Sequence, residues 1–316
     1  MIGRRFCIHP CLFAISLSQI PAPPHAGIAL PLTATYSPQQ SGPVLKAVVP
    51  PTIIEKSPQE IIQDFPQLEG FEPAADQSEL PMILKKAGDN VNVYFHNFVN
   101  ISAQEEVVQE RLQPDGKVDE SHKQKFRYLL VRSARKIDFD LNEYRMDKKG
   151  RPAEQKVLRG GTLTKGFASM PALLYPDLQA GSRFALLGRQ DIEGRNFFVV
   201  AFAQVPTLSD FKEKIVDDLG AHTLFLQGLV WIDSTNFQII RMSTQLLPDP
   251  SPKPLLQQTT VITFEQVHFE GISTPYWLPQ EVVVVTDRTD GRLRNLHRYS
   301  DYKLYASQTK IIYQPE

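Results

Sequence analysis

From residue 78 the apolar positions recur at three- and four-residue intervals: Leu80, Ile83, Leu84, Ala87, Val91, Tyr94, Phe95 and Phe98. A backbone that turns every 3.6 residues stacks such positions on one face. The spacing therefore predicts a helix over about 79–99, with Ser78 or Glu79 near its N-cap. Val91, Val93, Phe95 and Val99 also alternate, so a strand is the competing reading; the longer register favours the helix. From about residue 103 the period shortens to two. "AQEEVVQERL" and "KQKFRYLLVRS" flank "QPDGKVDESH", whose Asp-Gly pair is a hairpin signal, and "IDFDLNEYRMD" follows. "SRFALLGRQDI" and "RNFFVVAFAQV" stand either side of Glu193-Gly194, a second hairpin. "TTVITFEQVHFE", "PQEVVVVTD" and "GRLRNLHRYSDYKLY" end the chain, with "RTDG" turning the last pair.

Two segments break the alternation. "FASMPALLYPDL", residues 167–178, reads as a short helix, and "LSDFKEKIVDDLG", residues 208–220, as a second, with Ser209 as N-cap and Gly220 as stop. "PDPSPKP", residues 248–254, reads as a rigid, solvated loop. Ahead of the long helix, a helical turn is predicted around Ile61, Ile62 and Phe65. About ten strands in successive hairpins, without a βαβ rhythm, predict a meandering antiparallel sheet of the α+β class.

The stretch "FLQGLVWIDSTNFQIIRMSTQLL", residues 225–247, is apolar on both sides of its first strand. Phe225, Leu229 and Trp231 face one way; Leu224, Leu226, Val230 and Ile232 face the other. Phe197–Ala203 and Val282–Val285 repeat the pattern. A buried Leu, Val or Phe is worth roughly 1.5–3 kcal/mol, so no fold leaves such faces wet. Either both faces are covered, or one lines a cavity that something apolar fills. The second option predicts a groove with a lid at 79–99 and 167–175. Leu84, Val91, Tyr94, Phe95, Phe98, Met170 and Leu174 would point down from the lid. Phe198, Val200, Leu229, Trp231, Val283 and Val285 would form the floor. The first option is an ordinary packed core.

Composition narrows the function classes. The 316 residues carry a formal charge of −1, which argues against a nucleic-acid partner. Residues 1–26 read as a secretory signal: Arg4 and Arg5, then "FCIHPCLFAISLSQI", then Ala26 as a cleavage residue. Residues 27–78 read as a flexible leader with a short helix, and 79–316 as the folded domain. The only two cysteines, Cys7 and Cys11, lie in the removable segment, so the mature chain needs no disulfide or thiolate chemistry. A periplasmic or secreted protein is expected.

Catalytic and metal signatures are weak. The seven histidines include no His-x-His or His-Glu-x-x-His spacing, although His268 and His297 lie on strands that could converge. "GGTLTKG", residues 160–166, lacks the ending of a phosphate loop and reads as a turn. Asp138 and Asp140 share a strand face, as do Glu143 and Arg145; such pairs usually form a solvated sheet face. No catalytic residue, cofactor or metal is predicted. Trp231 and Trp277 read as core anchors near strand ends.

The runs "GLVWIDSTNFQIIRM", "ITFEQVHFEGISTPYWLPQEVVV" and "RNLHRYSDYKLY" resemble, in the same order, the closing half of periplasmic lipoprotein-carrier-like domains of the LolA, LolB and RseB type. "LPMILKKAGDNVNVYFHNFVNISAQEEVVQERL", "FRYLLVRS" and "EYRMDKKGRP" resemble uncharacterised exported acidobacterial proteins. The resemblance spans about residues 79–305. It implies a curved, unclosed antiparallel half-barrel wrapped around a long N-terminal helix, with an apolar inner surface. The implied function is non-enzymatic binding of an acyl chain, a lipoprotein or an apolar peptide by a monomer. The alternative is a cell-envelope sensor that binds a protein partner through a sheet edge or the 208–220 insertion.

Overall fold

Strong local signals set the first elements of the computed structural model, which describes residues 51–132, 141–217, 220–248, 255–289 and 291–305. The segment read as a signal peptide, residues 249–254 of the Pro-rich loop read at 248–254, and Asp138 and Asp140 lie outside the described residues. A turn of 3-10 helix at Ile53–Glu55 leads into α1, Pro58–Asp64, which starts at a capping box between Ser57 and Glu60. After a three-residue strand β1, Phe71–Pro73, comes α2, Leu80–His96, with Glu79 at its N-cap and Asn97 at its C-cap. Ile83, Ala87, Gly88, Val91 and Phe95 form its buried stripe, as the three-and-four spacing predicts.

Strands β2 (Ile101–Leu112), β3 (Val118–Arg132) and β4 (Leu141–Met146) follow, then two 3-10 helices, Phe167–Leu174 and Pro176–Gly181. The remaining strands are β5 (Ser182–Ile192), β6 (Arg195–Gln204), β7 (Glu213–Asp217), β8 (Gly220–Leu224), β9 (Leu226–Asp233), β10 (Ile239–Leu246), β11 (Leu255–Val267), β12 (Tyr276–Arg288) and β13 (Gly291–Leu304). Eleven of them form one antiparallel sheet in the order β1-β5-β6-β9-β10-β11-β12-β13-β2-β3-β4. It is open, with β1 and β4 at its two edges, and curves as a half-barrel around α2. The turn between β5 and β6 is built by Glu193 and Gly194, both at positive φ (54° and 76°), the backbone that a two-residue hairpin of matching twist requires.

The predicted helix at 208–220 is not formed. β7 and β8 pair as a separate two-stranded hairpin, Ile215 opposite His222, and Gly220 opens the second strand. The adjacent β-branched pair Ile215-Val216 favours extended backbone, and the partner strand supplies the hydrogen bonds a helix would have made internally. Ser209 caps nothing: its hydroxyl accepts from Gln204 (2.8 Å) and donates to the Phe211 carbonyl (3.0 Å).

Both faces of the central strands are covered. All eight residues of β9 are buried, as are the last eight of β6. The register sets Phe198 opposite Ile232 and Val200 opposite Val230, and these face inward to the core built on α2. Their sequence neighbours Phe197, Val199, Ala201, Leu229 and Trp231 face outward. There Ile53, Ile61, Phe65 and Leu68 cover them in a second apolar cluster. The covering segment, which sequence pattern assigns to a leader, is fixed by directional bonds: Ile53 N–H donates to Gln227 (2.8 Å), and Gln190 donates to the carbonyls of Gln67 and Glu69 (2.9 and 2.7 Å). Trp231 Nε1 completes the chain by donating to Gln190 Oε1 (2.7 Å).

Candidate functional site

The inner face of the sheet carries one continuous apolar core, into which a buried polar cluster is set on one side. Over β6, β9 and β12, α2 and the 3-10 helices press directly on aliphatic and aromatic side chains. Gly88 permits this approach: a Cβ there would stand 2.6 Å from Gln179 Nε2 and 3.0 Å from the Leu174 carbonyl oxygen. Gln179 in turn donates to the carbonyls of Leu84 (3.1 Å) and Leu174 (2.8 Å), locking the 3-10 segment to the helix.

That packing leaves a cleft of about 390 Å3 at the C-terminal end of α2. One turn of the helix supplies Val91 and Tyr94, three residues apart on one face. The starts of β10 and β12 supply Ile239, Tyr276 and Trp277, and Phe264 rises from β11. The rings are mutually edge-on: Tyr94 lies 6.3 Å from Tyr276 and 5.4 Å from Phe98, which lies 6.0 Å from Tyr276. Their hydroxyls are anchored, Tyr94 donating to the Ala168 carbonyl (3.2 Å) and Tyr276 to that of Asn97 (2.5 Å). Burial pushes the Tyr94 and Tyr276 hydroxyls above the usual phenol range, so both stay neutral donors. Asn90, Asn97, Gln238 and Thr274 add amides and a hydroxyl, and Val93, 45% exposed, marks the opening to solvent. Among the described residues, none of those lining the cleft carries a charge.

The side of the cleft at β9–β10 is a built turn. Asp233 accepts from the backbone N–H groups of Thr235 (2.8 Å) and Asn236 (3.1 Å). Asn90 reaches across from α2 to the Asn236 carbonyl (2.8 Å). Phe237 is held at φ 59°, a conformation that aromatic residues rarely adopt, with its ring stacked 5.9 Å from Phe198.

Over β13, β2, β3 and β4 the inner face carries a buried polar cluster beside Ile101, Ala103, Leu130 and Leu141 of the same apolar core. Glu105 receives a bidentate pair from Arg145 (2.7 and 2.8 Å), a bond from His297 Nδ1 (2.9 Å) and one from the Tyr299 hydroxyl (3.1 Å), and all four residues are buried. Burial pushes the Glu105 carboxyl up, but the Arg145 guanidinium and the His297 ring outweigh it and hold it down at about 2. An ionised carboxylate only accepts, so Nδ1 of His297 carries the proton. Burial pushes the His297 ring below its ordinary value, which keeps it neutral. Arg145 also donates to the Thr164 carbonyl (2.8 Å) and to Gln155 (3.0 Å), while Glu143 accepts from Gly166 N–H (2.7 Å) and Ala168 N–H (3.3 Å). Together they bind the 155–168 segment over these strands. Burial pushes the Glu143 carboxyl up. Glu143 and Arg145 therefore do not form the solvated face that their spacing suggested.

The sequence-predicted residues fall into three groups. Val91 and Tyr94 line the cleft. Phe95, Phe98, Met170, Leu174, Phe198 and Val200 are buried in the adjoining inner core, and half-buried Leu84 packs against it. Leu229 and Trp231 lie on the opposite face of the sheet in the outer cluster. Val283 and Val285 also point away from the inner core, because their neighbours Val282 and Val284 belong to it. A single floor made of all six strand residues is thus corrected: two face inward and four outward. Trp277, read as a core anchor, lines the cleft, and Phe264, Tyr276 and Ile239 were missed. His268 and His297 do not converge. His268 is exposed past the Val267–Tyr276 pair, whereas His297 sits opposite Val282, further along β12. Of the 160–166 segment, read as a turn, only Gly160 lies in one, with Arg159; the rest is irregular, and Gly166 stands at φ 100°.

Among the described residues no helix is long and apolar enough to cross a membrane. No family model and no curated protein matches the chain. Among solved structures the chain is similar to a LolA superfamily protein from Nitrosomonas europaea, at 13% identity and a TM-score of 0.37, over 74% of this chain and 97% of that one. It is also similar to an outer membrane lipoprotein-sorting protein domain from Vibrio parahaemolyticus (12% identity, TM-score 0.36, 72% and 93% covered). A third neighbour is a DUF1329 family protein from Desulfovibrio piger (10% identity, TM-score 0.37, 72% and 94% covered).

Proposed function

We propose that the protein is an exported, non-enzymatic binding protein that holds an apolar chain in the cleft at the end of α2. The observation that carries this reading is the wall chemistry: about 390 Å3 of space bounded by Val91, Tyr94, Ile239, Phe264, Tyr276 and Trp277, open at Val93. Such a volume and lining suit a small apolar ligand, whose burial gains roughly 0.8 kcal/mol for each methylene taken from water. The export signal read in residues 1–26 supports a periplasmic or secreted setting, where acyl chains and lipoproteins are available as ligands. Beside the cleft the inner surface is filled by the protein's own side chains, Phe95, Phe98, Phe198 and Val200 among them, so the ligand occupies the cleft and not the full length of the half-barrel.

Mass spectrometry of protein purified without detergent tests this. A co-purifying acyl compound, displaced by a fluorescent chain analogue and lost in Trp277→Ala, is the expected result. Protein that neither carries nor takes up any apolar chain contradicts the reading.

A further inference from the structure

We propose that the cleft accepts one acyl chain of about a dozen carbons ending in an uncharged, hydrogen-bonding head, such as a monoacylglycerol, and discriminates against free fatty acids and two-chain lipids. This rests on the reading of the cleft as an apolar-chain site and names its ligand.

Capacity sets the chain number. A methylene occupies about as much space as a water molecule, roughly 30 Å3, so about 390 Å3 holds on the order of a dozen methylenes. Two chains of that length need twice the room. Widening the cleft on the β10 side means moving the turn that Asp233 and Asn90 hold.

Charge sets the head. The polar groups on the lining are amides and a hydroxyl, at Asn90, Asn97, Gln238 and Thr274. These both donate and accept, and so pair with hydroxyls and esters. Among the described residues the lining offers a carboxylate no cation, and an anion drawn from water against such a wall keeps its desolvation cost. Lys86 stands about one helical turn before Asn90, but its ammonium lies 4.4 Å over the Phe237 ring, and neither residue lines the cleft. Asn90 gives one of its two amide N–H groups to the Asn236 carbonyl, and its oxygen is left to accept from a hydroxyl. Tyr94 and Tyr276 have committed their protons and can only accept. The mouth therefore offers acceptors as well as donors, which a head with its own O–H groups can use and a carboxylate cannot.

The test is calorimetric titration of delipidated full-length protein with monododecanoyl glycerol, dodecanoate and didodecanoyl phosphatidylglycerol, at about pH 8 so that the acid is ionised. The expected result is one monododecanoyl glycerol per protein, bound about tenfold more tightly than dodecanoate, with no competition from the two-chain lipid. In Asn97→Lys, an exposed helix-end position, preference should swing about tenfold toward dodecanoate. Dodecanoate binding as tightly as the glyceride, two chains per protein, an effective two-chain competitor or an unshifted Asn97→Lys each overturns the proposal. In those cases, loss of binding in Trp277→Ala would leave the cleft itself standing as the chain site. Absence of binding by all three compounds sinks both readings.

Discussion

Two regions of the sheet's inner face are held by different physics. Over β2, β3, β4 and β13, Glu105, Arg145, His297 and Glu143 hold the 155–168 segment by bonds of fixed length and direction. Over β6, β9 and β12 the seal is packing between α2 and apolar side chains, which depends on volume and shape rather than on pairing. Directional bonding holds its segment in place because every buried charge must be matched. Packing is free to leave a gap, and at the end of α2 it does. An apolar gap costs contacts but strands no polar group, so a fold can keep one as a binding site.

Breaking the polar cluster should have the largest effect. Arg145→Met leaves Glu105 charged and buried without its main partner, and should cost about 3–5 kcal/mol by urea unfolding. Adding Glu105→Leu should return most of that loss, because the stranded charge goes too; a double variant no better than Arg145→Met would show that the pair is not the cause. Phe95→Ala, deep in the packed region, should cost a comparable amount, about 3–5 kcal/mol, from lost burial plus the cavity left behind, again by urea unfolding.

Acid should separate the two regions next. Glu105 titrates near 2 when folded, against an ordinary 4.5, so its contribution is complete above about pH 4.5 and is lost as pH falls toward 2. His297 has a lowered folded value, so stability also declines as pH falls below its ordinary 6.5. Glu143, raised by burial, works in the opposite sense: its unfavourable ionisation is relieved as pH falls. The net expectation from the first two is a stability that drops by a few kcal/mol from neutral pH to pH 3, measured by denaturant unfolding. The Glu105→Leu/Arg145→Met double variant should show a shallower drop. The smallest effect belongs to the cleft mouth: Val93→Ser should change stability by less than about 0.5 kcal/mol while weakening chain-analogue binding about threefold by fluorescence titration.

Much of this architecture is legible in the chain, and the exceptions have physical causes. The stripe of α2 and the two-residue hairpins are local features, and local periodicity reports them. The two-faced burial of β9 was also legible, since side chains alternate within a strand. Relating faces between strands was not. Phe198 pairs with Ile232, not with Trp231, and only register fixes that, so Leu229, Trp231, Val283 and Val285 were grouped with residues from which the sheet divides them. The cover of the outer face escaped notice because Ile53, Ile61, Phe65 and Leu68 stand in a polar, proline-containing segment with little period. Glu105 stands next to Glu106 in an alternating strand, and nothing local says which of the two faces inward. Trp277 and Tyr276 carried a signal, two adjacent aromatic residues at a strand start beside Pro275, which packing alone explained equally well.

The most direct test of an inner-face chain site uses a nitroxide-labelled acyl chain and methyl NMR. The account predicts selective broadening of Val91, Val93, Ile239 and Ile272 in the cleft, with Val199 and Leu229 on the outer face unaffected. Broadening centred on the outer face, or spread evenly over both, would contradict it.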